Sequence, residues 1–78
     1  MRQHELRDSL RKEPFQPFRI HLSNGQSYDI RHPEFAALTR HSVIVVVPIS
    51  GDDGIDRVVQ CDLIHVVATE AIDGVSGP

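Results

Sequence analysis

Five histidines are the side chains in this 78-residue sequence best suited to chemistry at neutral pH. Imidazoles bind metals and transfer protons, and a zinc site often takes two of them at a short, regular spacing. None of these histidines forms a helical i, i+4 pair, and no nucleophile motif or glycine-rich phosphate loop accompanies them. We therefore expect no catalytic residue, no metal site, no cofactor and no enzyme activity. The histidines are His4, His21, His32, His41 and His65.

Three aspartates at positions 52, 53 and 56 are the other candidate for metal binding. A calcium loop of the EF-hand type places oxygen ligands at alternate positions and closes with a distal glutamate. The stretch "SGDDGID" does not have this spacing. We interpret it as the connection of a hairpin, because Asp-Gly is a turn signal.

The lone Cys61 cannot form a disulfide within the chain, and we expect it to be a small buried apolar side chain. A single thiol and an N-terminal stretch without an apolar signal segment predict a cytoplasmic protein. The longest apolar run, "VIVVV", is far shorter than the roughly 20 residues that a membrane span needs. We therefore expect no membrane partner.

The net charge of −3 is unevenly distributed. Residues 1–13 carry four basic and three acidic side chains (+1), residues 14–50 three and two (+1), and residues 51–78 one and six (−5). Binding of nucleic acid usually needs a basic surface, which only the first two-thirds of the chain can supply. The candidate contacts are Arg19, Arg31 and Arg40 for phosphate, and Phe35 or Phe15 for stacking on bases.

The first element that has to position these side chains is a helix. Leu6 and Leu10 lie four residues apart in the otherwise polar stretch "HELRDSLRKE", as on one narrow apolar stripe. Glu13 precedes Pro14, and the residue before a proline disfavours helical backbone. The pattern predicts a short helix over about residues 3–12.

The stretch "FRIHLSNGQSYDI" predicts a β-hairpin, because apolar and polar residues alternate on both sides of Asn-Gly. A two-residue turn would place Asp29 opposite Ile20, a charged residue beside a core residue. A three-residue loop with Gly25 in the left-handed conformation instead gathers the apolar residues on one face and places Arg19 opposite Asp29 on the other. We predict this register, which pairs Phe18 with Ile30 and Ile20 with Tyr28.

Pro33 is the second structural residue, after Gly25. It lacks an amide hydrogen, so the second strand of the hairpin is expected to break or bend there. Beyond it, "PEFAALTR" fits either one helical turn or a bent strand, and both alternatives stay open. We expect His32 to be a surface turn residue.

Two further stretches predict the remaining strands. "SVIVVVPI" is β-branched on both faces, which is typical of a central strand. "RVVQCDLIHVVATE" predicts either one strand or two that are broken at Cys61-Asp62. We expect Ile64, Val66 and Ala68 to share one face.

Together these elements predict an α+β, mainly β fold. It has a short N-terminal helix followed by a four- or five-stranded antiparallel sheet or a small barrel. We expect a single domain over residues 1–73, with strands between about residues 17 and 70, and a disordered tail at 74–78.

This layout resembles that of Sm-like proteins, including the bacterial Sm-like RNA chaperone, over roughly residues 5 to 70. The first motif of that family, apolar-x-apolar-x-Leu-x-Asn/Asp-Gly, is matched by Phe18, Ile20, Leu22, Asn24 and Gly25. The resemblance implies a small β-barrel. The chain is also similar to short bacterial proteins with "PFRIHLS-x-G" and "RHPEF" patterns, a similarity that implies no function.

The chain departs from the Sm-like pattern at the bend of the second strand and at the RNA site. Pro33 stands in the region where the family usually has a second glycine, and neither "YKH" nor "RGxN" precedes the last strand.

The main hypothesis is therefore a non-catalytic small β-barrel interaction module that acts as a homo-oligomer or through a protein partner. It is favoured by the small core of so short a chain and by the edge of the strand "HVVATE". The alternative is an Sm-like module that binds single-stranded RNA.

Overall fold

The computed structural model describes residues 1–48 and 56–72. These residues form one helix, six strands and two single 3-10 turns, at Pro33–Phe35 and Leu63–His65. The predicted class, α+β and mainly β with an N-terminal helix, is confirmed, although the strands number six rather than four or five. They are α1 (Gln3–Arg11), β1 (Phe18–Leu22), β2 (Ser27–Ile30), β3 (Ala36–Leu38), β4 (Ser42–Pro48), β5 (Asp56–Asp62) and β6 (Val66–Ala71).

Helix α1 begins at Gln3 and ends at Arg11, one residue before the predicted end. The Glu5 side chain accepts a hydrogen bond from the Arg2 backbone amide at 3.0 Å, which satisfies a donor at the helix start. Leu6 is fully buried and Leu10 is packed against the core. The predicted leucine stripe therefore anchors the helix.

The β1–β2 hairpin has the predicted register. Phe18 lies opposite Ile30, Arg19 opposite Asp29 and Ile20 opposite Tyr28. Gly25 has a φ of 90°, a left-handed conformation that L side chains rarely adopt, and its amide donates to the Leu22 carbonyl at 3.0 Å. The three-residue loop is therefore confirmed.

Pro33 ends β2 as predicted, and the segment after it combines both of the open alternatives. Pro33–Phe35 forms a single 3-10 turn, and Ala36–Leu38 forms the short strand β3. The break divides the strands into two three-stranded antiparallel sheets, with the orders β2-β1-β6 and β3-β4-β5. The valine-rich β4 is the central strand of the second sheet, as its sequence predicts.

The turn between β3 and β4 is closed by hydroxyl groups. Thr39 Oγ1 and Ser42 Oγ are 2.6 Å apart, and the Ser42 amide donates to Thr39 Oγ1 at 2.9 Å. Gln60 Nε2 on β5 donates to Ser42 Oγ at 3.2 Å, so that the buried hydroxyl is satisfied. Arg40 and His41 lie at the exposed tip of this turn.

The strand after β4 does break, one residue beyond the predicted position. β5 ends at Asp62, a 3-10 turn follows, and β6 begins at Val66. The prediction that Ile64, Val66 and Ala68 share a face is wrong. Because the 3-10 turn interrupts the alternation, Ile64 is exposed while Val66 is fully buried.

The core lies between the sheets and under α1. It contains apolar side chains from the helix, from both sheets and from the second 3-10 turn, and the predicted burial of Cys61 is confirmed. Burial raises the pKa of the Cys61 thiol. The core residues are Leu6, Phe18, Ile20, Leu22, Ile30, Val43, Val45, Cys61, Leu63 and Val66.

The sheets do not close into a barrel within the described residues. Of the two predicted alternatives, a sheet or a small barrel, these residues therefore form open sheets, with β6 paired with β1 and not with β5. No helix in this part of the chain is long and apolar enough to cross a bilayer. The predicted connection with Asp52 and Asp53, and the tail at 74–78, lie outside the described residues.

Candidate functional site

The two described sheets have four edge strands, β2, β3, β5 and β6, and each of them has one edge that pairs with no strand in the described structure. β5 pairs with β4 alone, and β6 pairs with β1 alone. An edge strand presents unpaired backbone N–H and C=O groups, which can form hydrogen bonds with a strand of another chain. β5 and β6 follow one another in sequence, and we call their two unpaired edges the free edges.

Three large apolar side chains are strongly exposed along the free edges. Val58 on β5 is 63% exposed, Ile64 in the following turn 79%, and Val67 on β6 60%. Apolar side chains of this size lose contact with water when a partner strand covers them, which favours association.

The sequence of β6 does little to prevent such pairing. Proteins usually protect an edge strand with lysine, proline or an inward-pointing charge. Val66–Ala71 contains none of these, and its one charged residue, Glu70, already has partners on the neighbouring strand β1. Residues 67–71 are all exposed.

The outer face of the first sheet carries an ionic network. Arg19 Nε donates to Asp29 Oδ1 at 2.6 Å, and Arg19 Nη2 donates to Asp29 Oδ2 at 3.4 Å. Arg31 Nη2 also reaches Asp29 Oδ2 at 3.4 Å. The hydrogen bond from Arg19 is the largest cause that lowers the pKa of Asp29, and the same pair raises the pKa of Arg19.

His21 belongs to the same network, but Asp29 is not its hydrogen-bond partner. In the structure His21 Nε2 is 2.8 Å from Glu70 Oε1, and Arg19 Nη1 is 3.9 Å from the same oxygen. Glu70 was missed because the pairing of β1 with β6, 49 residues away, leaves no local pattern in the sequence.

Three of the five candidate nucleic-acid contacts lie around one groove. Arg19, Arg31 and Phe35 line a cavity of about 530 Å³, together with residues of β2 and β4. Arg40 is not among its lining residues, because it lies at the tip of the β3–β4 turn. Phe15, the fifth candidate, lines a separate cavity of about 480 Å³ that also includes Arg31.

The charge of Arg19 is largely compensated, and that of Arg31 is only weakly so. Asp29 takes both hydrogen bonds of Arg19, and Glu70 lies within 4 Å of it. A phosphate chain needs several uncompensated cations for counterion release. The groove at the hairpin turn, about 620 Å³ and lined by Asn24, Gln26 and Gln60, has no arginine or lysine.

Residues 1–48 and 56–72 contain no group of three or more His, Cys, Asp or Glu side chains that could hold a metal ion. No protein-family model, no curated protein and no solved structure matches the chain.

Proposed function

We propose that this protein is a non-catalytic interaction module that binds further copies of itself by pairing the free edge of β5 with the free edge of β6. The observation that carries the proposal is the coincidence of unpaired backbone and exposed apolar side chains on these two strands. A buried Cys61 suits a reducing compartment, which supports the predicted cytoplasmic location.

The lengths of the two edges suit one another, since β5 has seven residues and β6 has six. When β6 of one copy pairs with β5 of the next, each copy keeps one edge free for a further neighbour. Repeated heterologous contacts of this kind join successive copies into either a closed ring or an open filament. A dimer paired through β6 alone leaves both β5 edges open, whereas a ring closed by mixed pairing leaves neither edge open.

The apolar residues add to the free energy of association. Val58 and Val67 are 63% and 60% exposed in the single chain. Covering each of them would contribute about 1 kcal/mol from apolar area alone. A chain of this size has a small core, so a contact of this kind also stabilises its fold.

We also propose that the fold is related to that of Sm-like proteins. The support is the order of the elements: α1, the Asn-Gly hairpin, a bent segment at Pro33, the valine-rich β4 and the closing β6. The self-association is argued from the edges and does not require that relationship.

Sedimentation velocity of the full chain from micromolar to millimolar concentration tests the proposal. We expect a mass well above the 8.7 kDa of one chain. Val67→Lys or Val58→Lys places a charge on a free edge at an exposed position, so we expect a monomer that is still folded. His4→Lys adds the same charge to an exposed position of α1 and is expected to leave the mass unchanged. A wild-type monomer at millimolar concentration would exclude self-association.

Binding of single-stranded RNA is the second candidate, and its support is the common groove of Arg19, Arg31 and Phe35. It predicts filter-binding affinity at low salt that falls steeply as salt is added. It also predicts that Arg19→Gln and Arg31→Gln weaken binding. Retention of no RNA at low salt would exclude this candidate, which the pairing of Arg19 with Asp29 already makes the weaker one.

A further inference from the structure

Arg31 lies where two cavities meet. On one side, it lines the cavity of about 530 Å³ with Tyr28, Phe35, Val47 and Pro48. On the other, it lines the cavity of about 480 Å³ with Phe15, Pro17, His32 and Pro33. Both volumes are in the range of small-molecule sites, roughly 300–1,000 Å³.

The Arg31 guanidinium is only weakly engaged within the described structure. Its side chain is 53% exposed, and its hydrogen bond to Asp29 Oδ2 is long, at 3.4 Å. Asp29 interacts mainly with Arg19, at 2.6 Å. Since a guanidinium has five N–H donors, most of those on Arg31 are available to a ligand.

Aromatic, proline and valine side chains form much of the walls around Arg31, beside the polar Ser27 and Asp29. Phe35 and His32 pack edge to face, with ring centroids 5.2 Å apart, and Pro17 and Pro33 have fixed φ angles. A ligand that enters therefore meets a largely preformed surface, which lowers the ordering cost of binding.

The charge of each cavity selects for a small anion. The residues that line the first cavity include two arginines and one aspartate, a net charge of +1, and Arg31 is the arginine that also lines the second cavity. The whole chain carries −3. One positive charge between largely apolar walls fits a monoanion with an apolar group better than the repeated charges of a phosphate chain.

We propose that Arg31 binds the carboxylate of an amphipathic acid, with the apolar part of the ligand in the cavity beside Phe35 and Val47. A guanidinium and a carboxylate form two parallel hydrogen bonds, a geometry that a lysine cannot reproduce. The carboxylate can belong to a free aromatic acid or to the C-terminus of a peptide. This site is separate from the free edges, so its occupancy does not depend on self-association.

The test is a titration of the full chain, followed by amide chemical shifts, with 3-phenylpropionate and with its neutral amide. We expect saturable shifts at residues 28–35 with the acid, and affinity for the amide at least about tenfold lower, because the amide lacks the charged acceptor. Arg31→Gln is expected to weaken binding of the acid by the same factor. Arg31→Lys is expected to keep only part of the wild-type affinity for the acid, and the matched control Arg40→Gln is expected to keep all of it.

The source of the carboxylate is tested with a glycine peptide that ends in phenylalanine, as the free acid and as the C-terminal amide. Tighter binding of the free-acid peptide than of 3-phenylpropionate assigns the site to peptide termini, and the reverse order assigns it to small acids. Equal affinity for acid and amide, no saturation at millimolar concentration, or equal loss in Arg40→Gln would overturn the proposal. Stronger shifts at residues 28–35 with single-stranded RNA would overturn it in favour of nucleic acid.

Discussion

At the scale of single residues, the register of the β1–β2 hairpin places Arg19 and Asp29 where their side chains form an ion pair. The two residues are directly opposite in the β1–β2 pairing, and the Arg19 guanidinium contacts both carboxylate oxygens of Asp29. Because the charged form of Asp29 is stabilised only in the folded state, its lowered pKa links folding to pH.

Asp29→Asn is expected to reduce the free energy of unfolding at pH 7 by less than about 1 kcal/mol, since the pair is partly exposed. The pKa of Asp29 is depressed in the folded state, so its contribution is present above the ordinary value of 3.8 and is lost as pH falls through the lower folded-state pKa. Urea unfolding at several pH values measures this. The difference in the free energy of unfolding between wild type and Asp29→Asn should become smaller as the pH drops below 4. A difference that grows there would contradict a stabilising ion pair between Asp29 and Arg19.

At the scale of elements, the hairpin depends on the conformation of one residue. Gly25 has a φ of 90°, and a Cβ added there would meet no atom within 4 Å. Any cost of a side chain at this position therefore arises from the backbone and not from a clash.

Gly25→Ala is expected to lower the free energy of unfolding by about 1–2 kcal/mol, because alanine disfavours positive φ. Gly25→Asn is the matched control, since asparagine tolerates the left-handed region better and should cost less. Urea denaturation ranks the three proteins. Equal stability of Gly25→Ala and wild type would show that the turn does not need this conformation.

Much of the element structure is predictable from local patterns. Alternation with Asn-Gly predicts the hairpin register, Pro33 predicts the end of β2, and the Leu6–Leu10 spacing predicts the docked face of α1. These features depend on residues within about ten positions of one another, where steric and turn rules act directly.

What the sequence did not predict depends on distant or irregular contacts. The pairing of β6 with β1 brings Glu70 to His21, and the bend at Pro33 brings Val47 near Arg31. The 3-10 turn at Leu63–His65 changes the face of Ile64, because three residues of helical backbone shift a two-residue period. Each of these requires the tertiary arrangement of at least two elements.

At the scale of the whole molecule, α1 and two three-stranded sheets form one small core in a chain of 78 residues. Such a chain buries a smaller fraction of its surface than a larger domain, so its stability margin is narrow. Association through the free edges would stabilise the folded chain by mass action.

The midpoint of thermal unfolding is therefore expected to rise with protein concentration, by about 5 °C or more for each tenfold increase in the associating range. Val67→Lys should have a midpoint that does not change with concentration. Differential scanning calorimetry over a hundredfold dilution series provides the measurement. A constant midpoint in the wild-type protein would mean that unfolding is not coupled to association.

The hydroxyl-closed turn between β3 and β4 has a practical consequence for labelling. Its shape is held by Thr39 and Ser42, so the side chains of Arg40 and His41 at its tip do not maintain it. The native thiol of Cys61 is buried with a raised pKa, and so reacts slowly with maleimides. Arg40→Cys thus gives one accessible attachment point for a fluorophore on the purified protein, and energy transfer between copies that carry donor and acceptor dyes can then report assembly.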